Sequence, residues 1–450
     1  METFEDFVKG LIKILNIKQD IEKLTISEQQ KFISKINEYL YTNYEGIETT
    51  HVLDEDFEYL SDFHIFWKKN HEKILNPQID KNCCEKVADI LHDIYLKYDG
   101  KPFKETESYQ NSGLQLSEIC KIRFLTANQD FRGSRDFEEI ADIYRDDDSI
   151  FDLNSIFNNP DEFLTKLDMG KLAQNDKRRT YAKTIAQYLL DKKIEPFDLL
   201  KYFDYDFGIL RNDLIQLKGA GYGSKKTDMF LRDMCLTGIW KEGKNFHMVD
   251  VASDINTIKV ALRTGIVKTD ILLLSSFLDI FCYQYGLIDE YNAKAWRVVW
   301  EIWKSKYSNE VIESPSQIDY LIYRLIGKEF CNDNLIRFKC ETYGHEFFWH
   351  SPRNQTCQEC YKGIREKNKA RVIWKDLPCK YSEGKIYIEK NKIRNKILPD
   401  VEECPFISVC MPRDSTFKKL NPPKSISILG KTSWTTAYTK KDEGGGGLMA

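Results

Sequence analysis

The sequence predicts a mainly α protein: a helical body followed by a Cys-rich, metal-stabilised C-terminal module. Three observations carry that prediction. Apolar residues recur at three- and four-residue spacing through most of the first 330 residues. No run of alternating strand residues occurs before residue 330. Seven of the twelve cysteines fall between residues 331 and 410.

The elements follow in order. Helical stripes run over Phe4–Leu15, Ser27–Tyr41 and Cys84–Lys97, and in the last Val87, Ile90, Leu91 and Ile94 form one face. The polar stretch 98–114 reads as a linker or long loop. Helical patterns resume at Ser117–Ala127 and Asp136–Tyr144, again near Asp161, and over Arg179–Asp191; Pro196 marks another helix start. Helices joined by short turns continue from Ile209 to Phe330. Beyond that point Cys, aromatic, Gly and basic residues take over, with short strand-like pieces such as Lys385–Ile388. The expected organisation is a helical N-terminal region (1–110), a second helical domain (111–330), the Cys-rich module (331–420) and a Ser/Thr/Gly-rich tail (421–450).

With 42% hydrophobic and 30% charged residues, a chain of 450 residues has enough apolar surface for a sizeable core. That balance excludes collagen, wholesale disorder and a small disulfide scaffold. The most apolar stretch, Ile271–Phe281, is broken by Ser275, Ser276 and Asp279 and is too short to span a membrane. The N-terminus is acidic, with no basic region ahead of an apolar run, so the expected location is cytoplasmic and reducing. The net charge of −4 argues against a simple polycationic nucleic-acid binder. The charge is polarised, however: residues 1–60 carry 6 basic against 13 acidic groups, and residues 361–396 carry 12 against 4.

The segment Asp213–Met234, DLIQLKGAGYGSKKTDMFLRDM, is the most informative. An amphipathic helix ends at Leu217, a turn follows with Gly219, Gly221 and Gly223, and a second helix starts at Ser224. Alternating glycines permit positive φ and close backbone approach. Ser224 is positioned to cap the new helix, whose leading N–H groups make an anion site suited to a phosphate. Lys218, Lys225 and Lys226 add full charges. The order of residues is not that of a phosphate-binding Walker A loop, and no strand precedes it as a dinucleotide fingerprint requires.

Here the chain resembles the helix-hairpin-helix (HhH-GPD) DNA glycosylase superfamily, the group of endonuclease III and 8-oxoguanine glycosylase. Gly221-Tyr222-Gly223-Ser224-Lys225-Lys226-Thr227-Asp228 is similar to the hairpin, with Tyr in place of Val or Ile. Ser253-Asp254-Ile255-Asn256-Thr257-Ile258-Lys259-Val260 is similar to the segment that opens the family's catalytic helix. The resemblance implies a glycosylase domain over 111–330, Lys225 as Schiff-base lysine and Asp254 as catalytic aspartate. It also implies DNA binding through Gly219, Gly221, Gly223, Ser224 and Lys226. A rival register takes Gly219 and Gly221 as the hairpin glycines, puts Gly223 at the lysine position and implies a monofunctional enzyme. Asp250 is the rival carboxylate; the Asn256 and Lys259 spacing fits from Asp254. The implied function is excision of a damaged or modified base from double-stranded DNA, with possible abasic-site lyase activity. The alternatives are a non-catalytic DNA-binding protein of the same fold and an N-glycosidase acting on RNA or a nucleoside.

The same resemblance implies a [4Fe–4S] cluster after the last domain helix. Cys404-x5-Cys410 supplies the end of the family's pattern, and Cys331 and Cys379 complete a set of four thiolates, with an insertion between them. The insertion has its own ligand pattern, Cys340-x4-His345-x11-Cys357-x2-Cys360, which reads as a Cys3His zinc site; His350 is the alternative to His345. The basic stretch YKGIREKNKARVIWK after it, with Tyr361 and Trp374, is a candidate grip on a nucleic-acid backbone. Cys83, Cys84, Cys120, Cys235 and Cys282 lie in helical patterns and read as ordinary core residues.

Overall fold

The computed structural model describes most of residues 70–270 and 285–330, with short pieces at 10–16, 25–35, 336–339, 346–349 and 397–410. The described chain is mainly helical and forms two units by its internal contacts. The unit that matters for the site comprises Ile79–Ala261 and Asp289–Leu325.

Its helices are α1 (Lys81–Lys97), α2 (Leu116–Thr126), α3 (Phe137–Asp146), α4 (Leu153–Asn158), α5 (Pro160–Lys166), α6 (Asn175–Lys192), α7 (Leu199–Tyr202), α8 (Phe207–Gln216) and α9 (Ser224–Leu236). Most of α10 (Ile255–Thr264), most of α11 (Tyr285–Tyr307) and the first half of the π-helical α12 (Leu321–Phe330) also belong to it. Local chemistry sets several starts. Asp80 accepts from the Cys83 N–H at 3.0 Å, Asp152 from Ser155 at 2.8 Å and Asp206 from Ile209 at 3.1 Å, each satisfying an orphan donor of a first turn. Asn159 followed by Pro160 opens α5 in the same way.

The core of this unit gathers α2, α4, α6, α8 and α9 around aromatic side chains. Phe124 stacks on Tyr222 at 5.3 Å between ring centres and packs on Phe230 at 5.3 Å; Phe230 meets Trp240 edge-on at 5.4 Å. Rings so arranged contribute beyond the area they bury. The buried polar ends are satisfied: Tyr222 donates its hydroxyl to the Phe124 carbonyl at 2.6 Å, and Trp240 its indole N–H to Phe197 at 2.9 Å.

The described residues of 98–114, expected as a linker or long loop, form turns around a short 3-10 helix at Lys101–Phe103 and pack against the helices. Phe103 and Tyr109 are buried, Phe103 lies edge-on to Trp303 of α11 at 5.2 Å, and the Tyr109 hydroxyl donates to Asp233 at 3.0 Å. Its polar composition concealed these two aromatic anchors. Against α11, α1 contributes Tyr95, 5.8 Å from Trp303, and His92, which stacks on Tyr307 at 3.6 Å and bonds Glu310 at 2.9 Å.

The other unit is described only in pieces. Residues 10–14 are helical, and the Asp270 N–H donates to the Leu75 carbonyl at 2.9 Å. An antiparallel hairpin pairs Ile336–Lys339 with Glu346–Trp349, with Ile336 opposite Trp349, so strand structure does begin just past residue 330. The only strands described before it, Gln78–Ile79 and Val267–Lys268, have two residues each. Lys385–Ile388 lies outside the described residues. Among the described residues no helix is long and apolar enough to cross a membrane.

Candidate active site

The glycine turn joins α8 to α9. Gly219 and Gly221 adopt φ of +79° and +74°, the left-handed region in which a side chain is strained. Gly221 has a second constraint, because a Cβ there would stand 2.6 Å from the Tyr181 ring of α6. Gly223 differs from expectation. Its φ is −80°, and a Cβ there would meet open space. It is also the N-cap of α9, so Ser224 is the first helical residue and not the cap. The chain turns completely by Gly221, which leaves Gly223 free to be extended.

Between these glycines the side chains alternate in depth. Ala220 and Tyr222 are buried, whereas Lys218, Gly219, Gly223 and Ser224 are exposed. The Ala220 carbonyl accepts from Asn128 at 2.9 Å, which pins the turn to the end of α2. The turn is therefore held from below by Asn128, Tyr181 and Tyr222, and its outer face carries the leading N–H groups of α9. Lys225 and Lys226 follow in the first turn, both half-buried.

Asp254 stands at the head of α10 as its N-cap. One carboxylate oxygen accepts from the N–H groups of Asn256 (2.9 Å) and Thr257 (2.8 Å), and the other from the Asn256 side chain (3.0 Å). The Asp254 N–H in turn donates to the Thr257 hydroxyl at 2.9 Å. These bonds fix the carboxylate's direction while leaving it half-exposed. Lys259, on the same helix, is buried.

Asp250 has a different environment. It accepts from Arg297 at 2.7 Å and from Arg211 at 3.1 Å, and Arg211 also clamps Asp228 through two nitrogens. Burial pushes the Asp228 carboxyl up to about 7, against the Arg211 guanidinium that lowers it. Burial likewise raises Asp250, with Arg297 and Arg211 opposing. Asp250 is thus one link of a chain of carboxyl–guanidinium contacts tying α8, α9 and α11 together.

Asp289, on α11, has no motif that marks it in the sequence. Its carboxylate accepts the Ser253 hydroxyl proton at 2.8 Å. Asn292 donates to both Ser253 (2.8 Å) and Thr257 (3.0 Å), and Trp296 donates to the Asn292 carbonyl at 3.1 Å. This network holds the Ser253–Asp254 step against α11. Burial raises the Asp289 carboxyl above its ordinary range; the charge of Lys225 and the Ser253 hydrogen bond oppose that rise, and the charge of Asp254 adds to it. Asp289 thus lies against the step that bears Asp254, although the two come from separate helices. Asp289, Asn292 and Trp296 follow at i, i+3 and i+7, a polar stripe on one helical face that marks them in retrospect.

Of the eight expected metal ligands, Cys331, Cys379, Cys340, His345, Cys357 and Cys360 lie outside the described residues. The other two, Cys404 and Cys410, are half-buried at the ends of one compact turn. Within it the Ile407 N–H donates to Cys404 at 3.0 Å and the Cys410 N–H to Phe406 at 2.8 Å, and Phe406 is buried. The basic stretch after Cys360 lies outside the described residues as well. No family model, no curated protein and no solved structure matches the chain.

Proposed function

We propose that the chain is a DNA glycosylase of the helix-hairpin-helix kind, which excises a damaged or modified base from double-stranded DNA and then cleaves the abasic site. What supports this reading is Asp254, oriented by its own helix and half-exposed at the head of α10, together with a glycine turn after which α9 starts without a side-chain cap and carries Lys225 in its first turn. The turn takes a backbone phosphate, and the target base leaves its stack to present the sugar. As the carbon–base bond breaks, positive charge builds on the sugar, and the Asp254 carboxylate opposes it. The Lys225 amine attacks the same carbon, the bonding electron pair leaves with the base, and the base takes up a proton. Loss of the sugar-ring oxygen from that carbon then yields the Schiff base from which the strand is cut.

The proposal includes a [4Fe–4S] cluster on Cys331, Cys379, Cys404 and Cys410 and a zinc on Cys340, His345, Cys357 and Cys360. Both would brace the module that follows the helical domain, in a cytoplasmic setting that keeps the thiolates reduced.

The test is base release from duplexes carrying a panel of damaged and modified bases. Asp254→Asn keeps the helix cap and removes the charge, so release should fall about 100-fold or more while DNA affinity and melting change little. Lys225→Gln should abolish the covalent adduct that borohydride traps on an abasic duplex. Wild-type protein that binds duplex DNA yet neither releases a base nor traps an adduct would be a DNA-binding protein and not an enzyme.

A further inference from the structure

We infer that Asn292 is a positioning residue of this site: its side-chain amide, set by Trp296, holds the backbone of Asp254 in place through the Thr257 hydroxyl. The inference rests on the glycosylase reading for the role of Asp254, and on hydrogen bonds for the rest. Asn292 lies on α11 and is fully buried. Its amide nitrogen donates to the Ser253 hydroxyl at 2.8 Å and to the Thr257 hydroxyl at 3.0 Å, and its oxygen accepts from the Trp296 indole at 3.1 Å. An indole N–H can only donate, so the amide oxygen must face Trp296 and the amide nitrogen must face Ser253 and Thr257.

That orientation decides where the hydroxyl protons go. Each hydroxyl has one lone pair occupied by the amide. Ser253 then donates to Asp289 at 2.8 Å, and Thr257 donates to the Asp254 carbonyl at 3.0 Å. Thr257 also accepts the Asp254 N–H at 2.9 Å. One hydroxyl therefore holds both backbone groups of Asp254, and a second helix holds that hydroxyl. The bond from the Asp254 N–H to Thr257 is that of a capping box, which a helix makes from its own residues. A capping box does not require a buried amide from another helix to fix it. The Asn256 and Thr257 N–H groups, which a cap must satisfy, are already bonded by the Asp254 carboxylate. What the added bonds fix is the backbone from which a half-exposed carboxylate projects. A buried polar network with its members satisfied is rigid. Misplacement of a reacting group by an ångström can cost about 100-fold in rate.

The experiment is single-turnover base release at saturating enzyme, on a duplex whose base the wild type excises, with duplex affinity and melting measured on the same samples. Asn292→Leu removes the amide donors at similar volume, and Thr257→Val removes the hydroxyl at the same shape. Each should slow release about 10-fold or more with duplex affinity unchanged. Asn292→Asp, which keeps the shape and the acceptor for Trp296, takes the place of Asn292→Leu if the latter does not fold. Thr257→Ser, which restores the hydroxyl, should recover most of the rate, a rescue that a packing role would not give. Because the amide acts through the hydroxyl, the double variant should be about as slow as the slower single one, not slower by the product of the two effects. Release by a folded Asn292 variant at the wild-type rate would overturn the inference and leave the glycosylase reading intact. So would multiplied slowing in the double variant, or a Thr257→Ser as slow as Thr257→Val. A wild type that releases no base from any duplex would overturn the glycosylase reading, and this inference with it.

Discussion

Gly221 and Gly223 are alike in sequence and opposite in structure. Gly221 needs the absence of a side chain twice, for its φ of +74° and for the Tyr181 ring 2.6 Å from where a Cβ would stand. An alanine there carries a left-handed penalty of about 1–2 kcal/mol and must also displace the ring. Gly221→Ala should therefore destabilise the protein by about 2 kcal/mol or more and weaken DNA binding. Gly223 is extended with open space around it, so Gly223→Ala should change stability by less than about 1 kcal/mol. Urea melts of the two variants check the order; a more damaging Gly223→Ala would mean that the chain does not turn where described. The two aspartates form a similar contrast. Asp250 is held between Arg211 and Arg297 and has a structural task, whereas Asp254 is oriented by its own helix and remains half-exposed.

At the scale of elements, α9 is the piece that everything else holds. Its head bears Lys225 and its tail is fastened by buried charge. Asp233 accepts from Arg232 at 2.6 Å, from Thr106 at 3.0 Å and from Tyr109 at 3.0 Å, with Arg123 at 3.4 Å, while Arg232 also pairs with Asp319. Such a cluster fixes the helix's rotation and so the direction in which Lys225 leaves it. The 404–410 turn is the corresponding anchor of the metal-binding proposal. Purified protein should carry iron, sulfide and zinc; colourless protein with two zincs after anaerobic handling would remove the cluster. Because a thiolate site couples metal affinity to folding, Cys357→Ser should destabilise its module more than Cys120→Ser destabilises the core, where Cys120 is buried. Limited proteolysis and metal content, measured on the same samples, compare the two.

For the whole molecule, the buried carboxylates set a pH dependence with opposing signs. Burial alone would raise Asp233, but Arg232, Arg123 and its hydrogen bonds hold it below its ordinary value. Its contribution to stability is complete above the unfolded carboxylate value near ~3.9 and is lost as pH falls through the lower folded one. Asp228, raised to about 7, acts in reverse. Between about pH 4 and 7 the folded state keeps a proton that the unfolded chain has released, so stability falls as pH rises across that window. Asp250 and Asp289, both raised, add to the decline. The denaturation midpoint should therefore be higher at about pH 5 than at about pH 7.5, and Asp228→Asn should flatten the slope. A midpoint that climbs steadily from pH 5 to 7.5 would contradict this assignment of the buried charges.

What the sequence determined by itself was local. Helical periodicity placed α1, α2, α3, α6 and α9 to within a few residues, because an apolar stripe and a capping residue act over a single turn. The glycine turn was legible from its residue types. Only the tertiary structure decided which of the three glycines is also crowded by a ring, since that depends on Tyr181 from another helix. It decided that the polar stretch 98–114 packs, because Tyr109 finds Asp233 more than a hundred residues away. It also separated Asp250, held between Arg211 and Arg297, from Asp254, and it set Asp289 of α11 against Ser253. Charge partners drawn from distant helices leave no periodicity behind them; their pairing exists only once the helices have been packed.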